Sequence, residues 1–247
     1  MEADEYLRMA QQETVLWWFH LLHENLFAAL DSLGIPLGGD LNCADFGCGT
    51  GGFVAKLRER FPTWRVVGLD KSQAALKFAR LNRGPCFVCA DVGRPPLRPN
   101  AFDVVFAADV MCHRDVEPAS MLKAVHAVLK PGGIVILNNP AYEWLRSYHD
   151  AFVHTGRRYT TDRVAAELAQ AGFTVARCTY WNTVLFPLMV LKRKLLTGSA
   201  SRSDVDQIPA WLNRLLLFVS LPEPALMRYG ASFPFGGSVL AVGRKEA

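Results

Sequence analysis

The sequence predicts an α/β fold with a mostly parallel sheet flanked by helices, and three observations carry it. Short apolar runs alternate with stretches of helical periodicity. One strand-to-helix junction is rich in glycine, Asp45-Phe46-Gly47-Cys48-Gly49-Thr50-Gly51-Gly52. Successive apolar runs carry acids at their ends, Asp45, Asp70 and Asp91.

Residues 4–31 read as one long helix, with Tyr6, Met9, Leu16, Trp17, Phe19, Leu22, Leu26 and Leu30 at helical intervals. Leu33-Gly34-Ile35-Pro36 closes it. The aromatic run Trp17-Trp18-Phe19 has two readings, packing on the sheet or a lid over a ligand. His20, His23 and Glu24 have no second ligand set, so no metal site is expected.

The first strand spans 41–46, and a helix follows from Phe53 to Phe61. Glycines between them let the backbone turn sharply and approach a ligand closely. Amides at the helix start can hold a polar or anionic group. Gly47, Gly49 and Gly52 alone fit the dinucleotide fingerprint. Asp45 at the strand tip would repel a pyrophosphate and suits a cationic ligand, and Gly51 adds a third alternate glycine.

Trp64–Asp70 is the second strand. Asp70 lies about twenty residues beyond the loop, the spacing of a carboxylate that takes ribose hydroxyls; a nicotinamide site would also place an acid there. Cys86–Val92 is the third strand, with Asp91 near its end, and Ala101–Ala108 the fourth. Lys130-Pro131-Gly132-Gly133 turns a helix into the fifth strand, Ile134–Leu137.

Residues 138–160 leave the carboxyl end of that strand, where ligands bind in α/β sheets, and are dense in aromatics, histidines and arginines. Thr160 or Thr161 caps a helix to Ala171, and Gly172 ends it. Phe173–Trp181 is the sixth strand. Residues 182–197 form an apolar helix tipped by Lys192-Arg193-Lys194, 197–207 a polar loop expected to be flexible, and a second apolar helix follows from Trp211. The last strand is Pro234–Val242.

The 247 residues suit one domain, and 51% hydrophobic with 20% charged content excludes global disorder. A net charge of +4 without a basic stripe argues against a nucleic-acid binder. The N-terminus reads as lacking a signal peptide, and no run of about eighteen apolar residues occurs. A cytoplasmic protein without a transmembrane segment is expected. The six cysteines have no framework spacing, and Cys86 and Cys89 point to opposite faces of a strand, so reduced thiols are expected.

The motif Asp45-Phe46-Gly47-Cys48-Gly49-Thr50-Gly51, followed by Asp70 and Asp91-Val92 at later strand ends, resembles the class I S-adenosylmethionine-dependent methyltransferases. Pro140-Ala141, Ser147-x-His149-Asp150, Arg157-Arg158-Tyr159-Thr160 and Trp17-Trp18-Phe19 are similar to a bacterial small-molecule subgroup. The resemblance implies a Rossmann-like sheet of seven strands with an antiparallel last strand, and S-adenosyl-L-methionine as cofactor. It implies one domain over 1–247: an N-terminal lid (1–37), a cofactor half (39–139), an active-site insertion (140–160) and a helical cap (182–230). The cofactor site implied is Asp45, Gly47, Cys48, Gly49, Gly51, Asp70, Lys71, Asp91, Val92, Ala107 and Trp18.

Methyl transfer from a sulfonium is an in-line displacement, for which positioning alone can be worth about 7–11 kcal/mol. A base for a hydroxyl acceptor adds about 10²–10⁴-fold. His149 is the first candidate, with His113 on the fourth-strand loop and Tyr142 beside them. Trp17, Tyr148, Arg157, Arg158 and Tyr159 are candidate substrate contacts. The expected partner is a small, apolar acceptor such as a natural product, quinone or lipid-like molecule, methylated on oxygen. Carbon methylation of an isoprenoid or aromatic acceptor is the rival, with a NAD-dependent oxidoreductase and a non-catalytic cofactor-binding protein behind it. No nucleic-acid partner is expected, contact of the cap with a membrane surface stays open, and the chain is read as a monomer or homodimer.

Overall fold

Helix α1 (Trp17–Asp31) leads into strand β1 (Asn42–Phe46), helix α2 (Gly52–Arg60), β2 (Arg65–Asp70), α3 (Gln73–Arg83) and the short β3 (Phe87–Cys89). Then come β4 (Phe102–Ala108), α4 (Pro118–Val128), β5 (Leu129–Pro140), α5 (Thr161–Gln170) and β6 (Phe173–Trp181). Three helices, α6 (Phe186–Leu195), α7 (Ala210–Ser220) and α8 (Pro222–Arg228), precede β7 (Ser238–Lys245). The computed structural model describes residues 10, 12–34, 38–84, 86–147, 150, 153–195 and 208–246, with backbone only at 82, 194 and 195.

The seven strands form one sheet in the order β3-β2-β1-β4-β5-β7-β6. All pairings are parallel except those of β7, which runs antiparallel to β5 and β6. The inner strands read as continuous apolar runs because both faces are covered. On one face Val104, Phe106, Ile134, Ile136, Leu240 and Val242 pack with residues of α1 and α2. On the other, Val105, Leu137, Val239 and Ala241 pack with Met121 and Val125 of α4 and Val164 and Leu168 of α5.

Of the N-terminal helix expected over 4–31, residues 4–9 and 11 lie outside the described residues, and the rest is broken. Residues 12–15 are helical, Leu16 is extended (φ −76°, ψ 129°), and α1 begins at Trp17. The Asn213 side chain of α7 holds the break, accepting from the Trp17 amide at 2.9 Å and donating to the Val15 carbonyl at 2.8 Å. A partner about two hundred residues away overrides local periodicity.

Other boundaries moved for visible reasons. β3 ends at Cys89, so Asp91 lies past it, in a turn where its Oδ1 accepts from the Gly93 amide. β5 continues back through Lys130–Gly133 to Leu129, with a register shift against β4. β7 starts at Ser238 rather than Pro234, because Gly236 lies flat against the Trp181 backbone, where a β carbon would collide. The first cap helix starts at Phe186, not 182; the buried Glu223 of α8 takes the amides of Asn182 at 2.6 Å and Val184 at 2.8 Å. The expected polar loop, 197–207, lies wholly outside the described residues.

The cap closes back on α1 through Arg228, which meets Glu24 at 2.6 Å and Asp31 at 3.2 Å. It leaves Leu188, Leu191, Trp211, Leu215 and Phe218 largely exposed. No helix of the described residues is long and apolar enough to cross a membrane, and no metal-binding cluster occurs among them. His23 is a core histidine: burial lowers its pKa to about 3, and its ring lies 5.0 Å from that of Phe53.

Candidate active site

The glycine loop hangs from β2. The Gly47 and Cys48 amides both donate to the Leu69 carbonyl, at 2.7 and 2.8 Å, and the Gly49 amide donates to Asp70 Oδ2 at 2.9 Å. Gly47, Gly49 and Gly51 all have positive φ, a region that penalises a side chain. Gly47 also meets Val110 of the β4 loop, whose side chain occupies the space a β carbon would need. The loop after β4 therefore rests on the glycine loop. Asp70 Oδ1 accepts from the Ser72 amide, so its carboxylate shapes both turns.

Acids surround this loop. Asp45 is buried, and its pKa is pushed well up by burial, then by Asp70 and Glu13. Glu13, on the helical turn before α1, is 9% exposed and pushed up by burial. Cys48 is buried and its thiol is raised by burial and by these acids, so it is a neutral wall rather than a nucleophile. Lys71 bridges Asp115 at 2.7 Å on the exposed rim, joining the β2 and β4 loops. Asp91 is exposed, whereas Val92 and Ala107 are buried in the core.

At the carboxyl end of β4 stands an acid that the sequence reading passed over. Asp109 has φ +56°, strained for a residue with a side chain. Its amide donates to the Asn138 carbonyl at 2.8 Å, and its Oδ1 accepts from Asn138 Nδ2 at 2.9 Å. Asn138 Oδ1 in turn accepts from Trp181 Nε1 at 2.6 Å. Burial raises the Asp109 pKa to about 7, against the opposing pull of Asn138 and Arg158. Trp18 leans on Trp181, ring centres 6.3 Å apart, and on Phe19 at 5.1 Å. The α1 aromatics thus meet the β6 end of this chain of hydrogen bonds.

The described residues of 141–160 form an internal clamp. Arg158 is buried and bidentate to Asp150, at 2.8 and 3.1 Å, with a third bond to the Ala141 carbonyl. Arg157 donates to the Val116 carbonyl at 2.7 Å, and the fully buried Tyr159 hydroxyl donates to the Met111 carbonyl at 3.1 Å. These expected substrate contacts are engaged within the chain, Arg158 on Asp150 and Ala141, and Arg157 and Tyr159 on the loop that carries Asp109. Tyr142 stacks between Tyr180 and Trp144, and burial with Tyr180 pushes its phenol up, so it holds its proton at neutral pH. His113 sits on the same loop, its pKa lowered by burial and by Lys71. His149 and Tyr148 lie outside the described residues. Trp17 meets Asn213 through its backbone.

A family model described as a methyltransferase domain matches residues 44–137. A trans-aconitate 2-methyltransferase of Acidovorax sp. is 34% identical over 192 residues, covering 68% of this chain and 71% of the relative. The chain belongs to the S-adenosylmethionine-dependent methyltransferases. A cycloartenol-C-24-methyltransferase of rice is 33% identical over 51% of this chain, but the match spans only 36% of that relative's length. A geranyl diphosphate C-methyltransferase from Streptomyces coelicolor, solved with S-adenosyl-L-homocysteine, superposes with a TM-score of 0.57 at 15% identity. That superposition covers 89% of this chain and 74% of the other, and shows the shared fold.

The cofactor of this methyltransferase family fits the residues present. Glu13 Oε2 and Thr50 Oγ1 are buried beside the glycine loop without a hydrogen-bond partner. With the buried Asp45 beside them, these two atoms suit a cation that donates hydrogen bonds and do not suit a pyrophosphate. Glu13 carried no sequence signal, because nothing local says that residues 12–15 fold over the loop. Asp109 did carry one: an acid directly after a buried strand, matched by Asn138 at the end of the next.

Proposed function

We propose that this methyltransferase moves a methyl group to an oxygen of a small, largely apolar acceptor, with Asp109 as the base. The observation that carries this reading is the hydrogen-bonded line Trp181–Asn138–Asp109 at the carboxyl edge of β4 and β5. A carboxylate with a pKa near 7 is half-charged at neutral pH and matched to taking a hydroxyl proton.

When bound, S-adenosylmethionine supplies an electrophilic methyl on sulfur. Asp45, the glycine loop and Asp70 hold the cofactor in this reading, with Val92, Lys71, Asp91, Ala107 and Trp18 around it. Asn138 fixes Asp109 Oδ1, and Oδ2 is the atom assigned to receive the acceptor's proton. Trp181 holds Asn138 in the amide orientation that donates to Asp109. Trp18, Phe19 and Trp181 form an apolar wall that keeps water from the reacting oxygen. Arg157 and Tyr159 act as positioning residues, since they fix the loop that bears Asp109. His113 is a neutral pocket residue. Residues 1–37 act as the lid and 182–230 as the cap of a single domain.

Carbon methylation is the second reading, favoured by the aromatic rings Trp18, Phe19 and Trp181, which could face a cationic intermediate. The rice relative is named for C-24 of cycloartenol, which fits this second reading; the Acidovorax relative is named for trans-aconitate, a small-molecule acceptor. The test is transfer of labelled methyl from S-adenosylmethionine to a panel of phenols, carboxylic acids and isoprenoids, followed by the position of the label. An oxygen-bound label that Asp109→Asn abolishes supports the first reading. A carbon-bound label supports the second, whatever the effect of Asp109→Asn, because the cation formed on carbon must also lose a proton to a base.

A further inference from the structure

Glu13 is a carboxylate brought to the glycine loop from outside the sheet. It lies on the turn at 12–15, whose position is set by Asn213 across the break at Leu16. Its carboxylate packs on Gly52, the first residue of α2, so closely that a β carbon there would collide with it. Burial raises its pKa against the pull of Thr50, of the Arg83 charge and of the Gly52 backbone, and neither Oε2 nor Thr50 Oγ1 completes a hydrogen bond. Among the described residues no basic side chain bridges it.

A desolvated carboxylate without a cation is costly, and the buried Asp45 beside it adds to the cost. The start of α2 attracts negative charge, but a helix terminus amounts to about half an elementary charge and cannot balance two acids. The missing partner is a cation that carries hydrogen-bond donors. A sulfonium has no N–H or O–H to offer Oε2, whereas an ammonium has three donors.

Resting on the methyltransferase reading, we infer that Glu13 binds the ammonium group at the amino-acid end of the cofactor. The turn at 12–15 is then a wall of the cofactor site, and Asn213 of the cap supports the site at second hand.

The test compares two ligands by calorimetry, S-adenosylhomocysteine and 5′-methylthioadenosine, which share the adenosine thioether but differ in the amino-acid end. The inference predicts that Glu13→Gln weakens S-adenosylhomocysteine on the order of tenfold or more and leaves 5′-methylthioadenosine within twofold. Retained 5′-methylthioadenosine binding shows that the variant is folded, and Glu13→Asp should recover part of the loss. Equal affinity of wild type and Glu13→Gln for S-adenosylhomocysteine overturns the inference, as does an equal loss for both ligands. A wild-type protein that binds neither ligand overturns the cofactor reading itself.

Discussion

Asn138 Nδ2 donates to Asp109 Oδ1 across 2.9 Å, joining the carboxyl ends of β4 and β5. The same two residues are also joined by backbone, the Asp109 amide donating to the Asn138 carbonyl at 2.8 Å. This double link holds an acid in a left-handed backbone conformation, beside Val110, which touches the glycine loop. Strain of this kind persists where the surroundings over-determine it.

Asp109→Asn should lower turnover about 10²–10⁴-fold while leaving S-adenosylhomocysteine affinity unchanged. Wild-type turnover should rise with pH through about 7, as the carboxylate forms. The same shift sets a stability prediction. A folded pKa raised from 3.8 to about 7 means that the stability tied to this group is full below pH 3.8 and lost as pH rises through 7. Asp109→Asn should therefore melt with the wild type at the acidic end and above it at pH 8, by scanning calorimetry. A lower melting temperature at pH 8 would count against the raised pKa.

Gly47→Ala should weaken S-adenosylhomocysteine binding and lower stability. Its φ of +75° costs a side chain about 1–2 kcal/mol, and Val110 blocks the space besides. Adding Val110→Ala should relieve the collision and not the backbone strain, so the double variant should recover only part of the loss in urea denaturation.

Arg158→Ala should destabilise the fold by about 3–5 kcal/mol, the cost of leaving a buried acid unpaired. Burial works against the charge on Asp150, but hydrogen bonds from Arg158 and Ser147 outweigh it and hold its carboxyl below the usual value. That contribution is present at neutral pH and lost as pH falls below 3.8. Urea midpoints of wild type and variant should therefore converge toward acid; a gap that is constant with pH would argue against the pair.

Asn213→Ala removes both bonds that hold the break at Leu16. Amide exchange at Trp17, Phe19 and His20 should speed up, with the sheet amides unchanged, and stability should fall by about 1 kcal/mol, the usual value of a lost cap. Unchanged exchange there would show that the turn at 12–15 is held by other contacts.

The sheet was legible in the sequence because its buried strands are apolar on both faces and glycine or an acid punctuates each one. The cofactor loop was legible for the same local reason: Gly47, Gly49 and Gly51 take positive φ, which few other residues tolerate. What the sequence did not show depends on distant partners. Leu16 breaks a helix because Asn213 arrives from α7. Arg157, Arg158 and Tyr159 look like a ligand-binding cluster when read in a row. In space they bond the carbonyls of Val116, Ala141 and Met111 and the Asp150 carboxylate. Asp109 was visible as an acid at a strand end, but its shifted pKa arises from burial that no local pattern encodes.

The most direct measurement of the central claim is a calorimetric titration of the purified protein with S-adenosylhomocysteine and, in parallel, NADH. The acidic site around Asp45, Glu13 and Asp70 predicts micromolar binding of S-adenosylhomocysteine, lost in Asp70→Ala, and no heat with NADH. Binding of NADH without S-adenosylhomocysteine would contradict it.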